Sequence, residues 1–333
     1  RNLGAIISVM AFPFIAGSCY AASRGPFLRP RVQKDVILTE APHQVFDRQA
    51  VRRHKERAGR DFGSFDFLLR EAADRLVDRL ADVRRTFPVA VELGAHQAVL
   101  QEAACGRSSL GRVLHSAGSE AMLTPASTGM VADEELLPFA SESLDLIISS
   151  CALHWVNDVP GTLIQARQAL KPDGLFLANF FGGETLKELR DSLLKADMEV
   201  EGGAGPRVSP FADIRDAGAL LQRAGFALPV ADTEILTVSY DNPLKLLYDL
   251  RGMGESSAIS KRRKTFSRRA TLFRACEIYL EDLAGDDGRV PATFELITLT
   301  GWAPAESQPK AAARGSGQLS LTDVLEADTD KDP

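Results

Sequence analysis

Apolar positions recur with two different periods along the chain, and the alternation of these periods predicts an α/β fold. Leucine or alanine recurs at every fourth position of residues 68–80, with charged residues between. This spacing predicts an amphipathic helix with one apolar face, within a region of helical pattern at residues 42–83. From residue 87 onward, short apolar runs alternate with helical stretches, which indicates a mostly parallel sheet with helices on both faces.

The pattern predicts seven strands and six further helices. The run SLDLIISSCAL is continuously apolar, which indicates a strand buried on both faces. The helix before the fifth strand is expected to end at the turn sequence Lys171-Pro172-Asp173-Gly174. We expect strands at residues 87–94, 111–118, within 129–139, and at 143–153, 174–182, 232–240 and 291–304. We expect helices at residues 97–105, 159–174, 183–200, 214–226, 243–257 and 268–283.

Composition divides the chain into four parts. Residues 1–34 contain no acidic residue but carry arginine and serine, which is typical of an organelle transit peptide. Their apolar stretch also fits a secretory signal or a membrane anchor. We expect an N-terminal helical cap at residues 35–86 and the α/β domain at 87–304. Residues 305–333 are polar with an acidic end, and a mostly disordered tail is expected there.

Charge and cysteine content exclude several classes of function. The net charge of -6 argues against nucleic acid as the main partner. The four cysteines are far apart and form no Cys-x-x-Cys pair, so neither a thiolate zinc cluster nor a disulfide framework is expected. His54-Lys55-Glu56 lies in a charged helix, which favours a solvated face over a metal site. The basic run at residues 261–269 predicts a solvated face or a contact with acidic lipid or an acidic protein.

Candidate functional residues follow the predicted strands, because ligands of doubly wound sheets bind at the carboxyl ends of the strands. Each candidate also has a structural explanation, such as a turn glycine, an acidic helix N-terminus, or a helix cap at Asp158. A Gly-x-Gly-x-x-Gly loop is absent after the first strand, so a pyrophosphate cofactor is not expected. The candidates are Glu92 and Gly94 after the first strand, Asp133 and Glu134 after the third, and His154, Trp155, Asn157 and Asp158 after the fourth.

Several segments resemble known families. VELGAHQA, ADEELLPF and LHWVNDVP, followed by ALKPDG, resemble class I S-adenosylmethionine (SAM) methyltransferases of the type-11 group. The longer segments LKPDGLFLANFFGGETLKELR, LRGMGES and VPATFELITLTGW resemble the mitochondrial respiratory complex I assembly factor 5 family. This likeness runs from about Phe46 to Leu321. The malonyl-acyl-carrier methyltransferases of biotin synthesis are looser relatives.

The resemblance implies a class I SAM-methyltransferase (Rossmann-like) fold with a seven-stranded sheet and helices on both faces. It further implies a mitochondrial matrix location peripheral to the inner membrane, with a complex I matrix-arm subunit and assembly factors as partners. The family is credited with hydroxylating an arginine of such a subunit. By this resemblance the cofactor-binding residues are Glu92, Gly94, Asp133, Glu134, Trp155 and Asn157, and the catalytic residues are His154 and Asp158.

The chain departs from the methyltransferase pattern at two places. His96 and Ala98 stand where relatives carry glycines in the first motif, and their Cβ atoms restrict backbone approach. The ribose-binding acid expected after the second strand is missing, which costs on the order of 1–3 kcal/mol of SAM binding. Three functions remain open: an arginine-modifying assembly enzyme, a non-catalytic scaffold with a degenerate SAM site, and a SAM-dependent methyltransferase acting on a carrier-bound acid.

Overall fold

The computed structural model describes residues 44–125, 127–210 and 214–309. The predicted leader at residues 1–34, residues 35–43 of the predicted cap and most of the predicted tail lie outside the described residues. The boundaries drawn between these parts therefore stay predictions. Among the described helices, none combines the length and apolarity that crossing a membrane requires.

Seven strands form one sheet in the order β3-β2-β1-β4-β5-β7-β6. Neighbouring strands from β3 to β5 pair in parallel, whereas β7 pairs antiparallel with both β5 and β6. The predicted seven-stranded, mostly parallel sheet is confirmed. The strands are β1 Phe87–Leu93, β2 Leu110–Ala117, β3 Gly129–Val131, β4 Leu144–Ser150, β5 Leu170–Phe181, β6 Ala227–Tyr240 and β7 Val290–Trp302.

Helices cover the sheet where the apolar periodicity predicts them. The helical pattern at residues 42–83 resolves into two helices, and the apolar stripe of the second is buried against the sheet. The helices are α1 Arg48–Ala58, α2 Phe67–Ala81, α3 Val99–Ala103, α4 Val159–Ala169, α5 Lys187–Glu201, α6 Ile214–Arg223, α7 Pro243–Gly252 and α8 Arg269–Leu283.

The strand β4 shows why its central residues are apolar. Leu146 and Ile148 belong to the core on the face covered by α2 and α5. Ile147, which lies between them, belongs to the core on the opposite face, which α4 and α6 cover. Because successive side chains of a strand point to opposite faces, both faces need apolar residues.

The predicted turn at Lys171-Pro172-Asp173-Gly174 is wrong as a helix end. Helix α4 already ends at Ala169, and β5 begins at Leu170 and includes these four residues. Asp173 has a positive φ of 63°, and its N–H donates to the carbonyl of Ala303 at 3.1 Å. The four turn-forming residues therefore form an irregular part of a strand. The hydrogen bond to the distant Ala303 outweighs their local preference for a turn.

Candidate functional site

A cavity of about 170 Å³, the first cavity, lies at the carboxyl ends of β1 and β4. Side chains of α1 form one wall, and the loops after β1, β2, β3 and β4 form the others. Four residues predicted from sequence line it: Gly94, Asp133, Glu134 and Trp155. This is the position at which a doubly wound sheet binds small ligands.

Gly94 is required by the backbone around the cavity. Its φ is 77°, and a Cβ at this position would lie 2.2 Å from the Cβ of Ala152 in the turn after β4. Both conditions exclude a side chain. The glycine therefore lets the loops after β1 and β4 approach each other, and the need for it is independent of any ligand.

Glu92 is buried beneath the loop and does not line the first cavity. Its Oε2 lies 2.5 Å from Nδ1 of His115 on the neighbouring strand. Burial raises the pKa of Glu92, while the bonds from His115 and from the backbone N–H of His96 act against this rise. Glu92 thus shapes the loop after β1 from within the protein, rather than by direct contact with a ligand.

Asp133 and Glu134 line the first cavity, but both carboxylates already accept hydrogen bonds from an arginine side chain. Nη2 of Arg48 donates to Oδ1 of Asp133 at 2.7 Å and also to Oε2 of Glu134. Its Nη1 donates to the carbonyl of Trp155 at 3.1 Å. Burial opposes the charge of Arg48, yet the carboxylates of Glu134 and Asp133 hold its pKa above the usual value.

A second arginine borders the loop after β2, where the ribose-binding acid is missing. Gly118 and Ser119 line the cavity there, and Nε of Arg52 donates to the carbonyl of Gly118 at 2.7 Å. Glu120, the nearest acid in sequence, is exposed and does not line the cavity. This part of the cavity therefore presents a cation of α1 where methyltransferases of the type-11 group are expected to present an acid.

A buried cluster of polar side chains lies directly behind the first cavity. It consists of Lys55, His96, His154, Trp155 and Glu255. Nζ of Lys55 lies 2.6 Å from Oε1 of Glu255 and 2.9 Å from Nε2 of His96. Oε2 of Glu255 lies 2.9 Å from Nε2 of His154 and accepts the indole N–H of Trp155 at 2.8 Å.

The electrostatics of the buried cluster fix two protonation states. Burial alone would raise the pKa of Glu255, but the charges of Lys55 and His154 hold it well below its usual range. Burial and the charge of Lys55 both push the pKa of His96 well below its usual range. Glu255 is therefore ionised and His96 neutral at physiological pH. A dry carboxylate beside a neutral imidazole is suited to binding a cation and to moving a proton.

Sequence reasoning missed Lys55 and Glu255. The interpretation of His54-Lys55-Glu56 as a solvated face is wrong for Lys55, which is 9% exposed. The spacing of the sequence could have predicted its burial, because Lys55 lies on the same helix face as the apolar Val51 and Ala58, and all three are buried. No local pattern marked Glu255, which joins the cluster from 200 residues away in sequence.

Asn157 and Asp158 have structural roles outside the first cavity. Oδ1 of Asn157 accepts the N–H of Phe46 at 2.8 Å, and its Nδ2 donates to the carbonyl of Phe46 at 3.3 Å. Asn157 thereby holds the segment that leads into α1. Oδ1 of Asp158 accepts the N–H of Gly161 at 2.8 Å and caps α4. The structure gives both residues a structural contact, and the cofactor contact of Asn157 and the catalytic role of Asp158 stay predictions.

No metal site is evident in the described parts of the chain. Within residues 44–125, 127–210 and 214–309, no three His, Cys, Asp or Glu side chains lie together as ligands of an ion.

Comparison with known proteins identifies the family. The family model described as a methyltransferase domain, Methyltransf_11, matches residues 93–178. The mitochondrial arginine-hydroxylase NDUFAF5 of Danio rerio is 41% identical, over 84% of this chain and 89% of that protein. The protein of the same name from Homo sapiens is 39% identical, over 84% of this chain and 83% of that protein.

A malonyl-[acyl-carrier protein] O-methyltransferase of Xylella fastidiosa is 32% identical, over 80% of this chain and 90% of that protein. The strand order and the matched domain agree in a Rossmann-like SAM-methyltransferase fold. The identity and the share of this chain that is covered are higher for the arginine-hydroxylases than for this methyltransferase. The chain therefore belongs to the NDUFAF5 family, whose members are named mitochondrial arginine-hydroxylases.

Proposed function

We propose that the chain is a mitochondrial enzyme of complex I assembly that hydroxylates an arginine of a matrix-arm subunit. The relatives named arginine-hydroxylase support the reaction class. The observation that carries the proposal is the buried ion pair of Lys55 and Glu255 next to the first cavity. Burying charges is costly, and desolvated groups with shifted pKa values beside a cavity are typical of functional sites.

The residues of the first cavity fit part of an adenosyl cofactor. The side chain of Asp133 is 40% exposed, so it can accept a hydrogen bond from the amino group of an adenine while Arg48 remains nearby. The cavity of about 170 Å³ is smaller than the roughly 300 Å³ at which ligand pockets begin, so Arg48 must move to admit the whole cofactor. When bound, SAM would supply an electrophilic methyl group on a sulfonium, which is not the oxygen atom that hydroxylation inserts. That step needs molecular oxygen and a two-electron reductant, which the proposal takes from outside the described residues.

The residues of the buried cluster have distinct roles in the proposal. Nζ of Lys55 lies 2.9 Å from Nε2 of the neutral His96 and can donate a hydrogen bond to it, which orients the ring. His154 positions Glu255, and its ring is held between Trp155 and Phe181, at centroid distances of 5.3 and 4.9 Å. Trp155 excludes water from the same carboxylate. Asp158 has no part in this proposal.

The basic segment at residues 261–269 supports a peripheral location at the inner membrane. Lys261, Lys264 and Arg269 are exposed, and Phe266 projects fully into solvent at 101% relative exposure. Cations around an exposed aromatic side chain suit a surface of anionic lipids, where each cation contributes about 1 kcal/mol. The proposed location is thus the matrix side, in contact with membrane-bound assembly intermediates.

The experiment that tests the function uses cells that lack this protein and express the full chain again. Peptide mass spectrometry measures the gain of one oxygen atom on arginines of matrix-arm subunits, and native gels measure assembled complex I. We expect the wild type to restore both and the double variant Lys55→Met/Glu255→Gln to restore neither. Full oxygenation by the double variant would show that the buried ion pair is not needed for the reaction.

A non-catalytic scaffold is the second candidate function. Arg48 already occupies both acids of the first cavity, and the acid after β2 is missing. These observations favour a cavity that has lost its cofactor. In the same cells, a double variant that restores complex I without oxygenating any arginine would favour the scaffold.

A further inference from the structure

A second cavity of about 220 Å³ lies on the far side of the buried cluster. Its apolar walls are leucine side chains of α5 and α7, together with Phe181 and Phe294, and Thr185, Ser209, Ser256 and Ser257 add hydroxyl groups to the lining. Trp155 lines this second cavity as well as the first. The two cavities therefore approach each other at one indole ring.

The ion pair of the buried cluster separates the two cavities. Lys55 lines the first cavity, and Glu255 lines the second. Their charged atoms lie 2.6 Å apart, and their side chains are 11% and 5% exposed. An apolar cavity thus ends at an ionised carboxylate, and a group bound to this carboxylate lies next to the first cavity.

A third cavity of about 370 Å³ adjoins the second and is lined by the glycine-rich segment at residues 203–206. The second and third cavities share Leu193, Arg207, Leu247 and Ser257. Arg207 is held in place by Asp197, with N···O distances of 2.7 and 2.6 Å. The third cavity offers a groove for a peptide main chain beside a narrower space for one side chain.

We propose that the second cavity receives the side chain of the substrate arginine, and that Glu255 binds its guanidinium. The peptide that carries this arginine lies in the third cavity. This inference rests on the proposed function, and it assigns the place at which the substrate meets the first cavity.

The chemistry of the second cavity selects a long side chain with a cationic end. Its leucines cover the three methylene groups of an arginine, and a buried cation requires a buried carboxylate. Three donors of the described residues, on Lys55, His154 and Trp155, reach Glu255. A carboxylate accepts about four hydrogen bonds, so one position remains for a guanidinium N–H.

An acyl chain is the main rival occupant, because the walls are apolar and two arginines border the cavity. Among the described residues that line the cavity, Arg207 is already paired with Asp197, which leaves the exposed Arg251 for an anionic head group. Glu255 lines the second cavity whereas its partner Lys55 lines the first, so a carboxylate that entered further would meet Glu255 before Lys55 and be repelled. The geometry therefore favours the cation, and the acyl chain becomes an outcome of the test.

Binding of short peptides to the full-length protein tests the proposal. Calorimetry compares acetyl-Gly-Arg-Gly-amide with its citrulline counterpart, which has nearly the same shape but no charge. We expect the wild type to prefer the arginine peptide by at least about tenfold. Equal binding of the two peptides, or displacement of the arginine peptide by octanoate with no citrulline discrimination, would overturn the proposal.

Three variants locate the binding. Leu247→Trp fills the junction of the second and third cavities, and Lys55→Met/Glu255→Gln removes the buried charges as a pair, so that neither is left without a partner. We expect both variants to lose the preference for arginine. Leu244→Trp is the matched control, because Leu244 lies on the same helix but is exposed and lines neither cavity. A preference that survives in Leu247→Trp would contradict the assignment.

Two further readouts separate this proposal from the proposed function. Binding of S-adenosylhomocysteine reports the first cavity, and we expect Leu247→Trp to leave it within about twofold of the wild type. Arginine oxygenation in cells reports the reaction. If the wild type oxygenates arginine while Leu247→Trp and the double variant bind the peptide normally, the cavity assignment fails and the function stands. If the peptide preference depends on these residues but no arginine is oxygenated, the function fails and the cavity assignment stands.

Discussion

Helix α1 carries two ion pairs towards the site, and they differ in burial and in the partners they hold. Arg48 contacts Asp133 and Glu134 in the wall of the first cavity, where the side chain of Asp133 is 40% exposed. Lys55 contacts Glu255 behind the cavity, where both side chains are nearly inaccessible. Water reaches Asp133, although the side chain of Glu134 is only 10% exposed, whereas neither charge of the second pair can be left alone. The first pair is thus open to exchange with a ligand, and the second is part of the protein interior.

Removing one charge of the buried pair is expected to have the largest effect. Lys55→Met leaves Glu255 ionised in a dry site, which costs about 3–5 kcal/mol of the free energy of unfolding. Urea denaturation measures this loss. The double variant Lys55→Met/Glu255→Gln should recover most of it, because no charge is left without a partner. A loss below about 1 kcal/mol in the single variant would mean that water reaches the pair and that the two pairs do not differ.

Removing Arg48 is expected to affect ligand binding more than stability. Arg48→Met frees Asp133 and Glu134 and widens the first cavity, so the affinity for S-adenosylhomocysteine should rise about tenfold, which corresponds to about 1.4 kcal/mol. Calorimetric titration measures the affinity, and Arg52→Met is the comparison, because it removes a cation of the same cavity that, among the described residues, donates to the carbonyl of Gly118 rather than to an acid. Weaker binding by Arg48→Met would instead mean that Arg48 contacts the ligand itself.

A variant of Asp158 tests whether the loop after β4 contributes to ligand binding independently of the ion pairs of Arg48 and Lys55. Asp158→Ala removes the cap of α4 and should cost about 1 kcal/mol of stability. We expect peptide and S-adenosylhomocysteine binding to be unchanged, because the side chain lines none of the three cavities. Reduced ligand binding in a variant that is otherwise folded would restore the role that the sequence predicted for it.

Histidines near the buried pair should make stability depend on pH. Burial, and then the charge of Arg57, lower the pKa of His54 to about 4, against about 6.5 in the unfolded chain. Between these values the unfolded state binds more protons, so stability rises with pH and falls as pH is lowered. Allowing for the partial exposure of His54, its contribution from pH 7 to 5 is a loss of about 1 kcal/mol.

Urea titrations at both pH values, with His54→Gln as the comparison, measure this dependence. The variant should show the smaller difference between pH 7 and 5. Glu255, whose pKa is lowered, contributes stability that is lost only below about pH 4.3, so it cannot produce this difference. An unchanged difference in His54→Gln would mean that other groups produce it, and His96, whose pKa is lowered as well, would be the next to test.

The sheet could be predicted from sequence because its signals are local, whereas the buried cluster could not. Strands such as β4 are apolar runs of the right length, and burial on both faces follows from their composition. Lys171–Gly174 shows the limit of local signals, since pairing with Ala303 turns a helix-ending motif into part of a strand. Lys55 and Glu255 are 200 residues apart, and each looks like a surface charge until the fold brings them together.

The position of Trp155 gives the protein an internal optical reporter. Its indole is 3% exposed, borders both the first and the second cavity, and donates its N–H to the carboxylate of Glu255. The chain contains only one other tryptophan, Trp302, which packs near Arg85 at the far end of the sheet. In a Trp302→Phe background, the fluorescence of Trp155 alone would therefore report the charge and polarity in both cavities. The order in which the two cavities fill can then be followed by rapid mixing, without attaching a label.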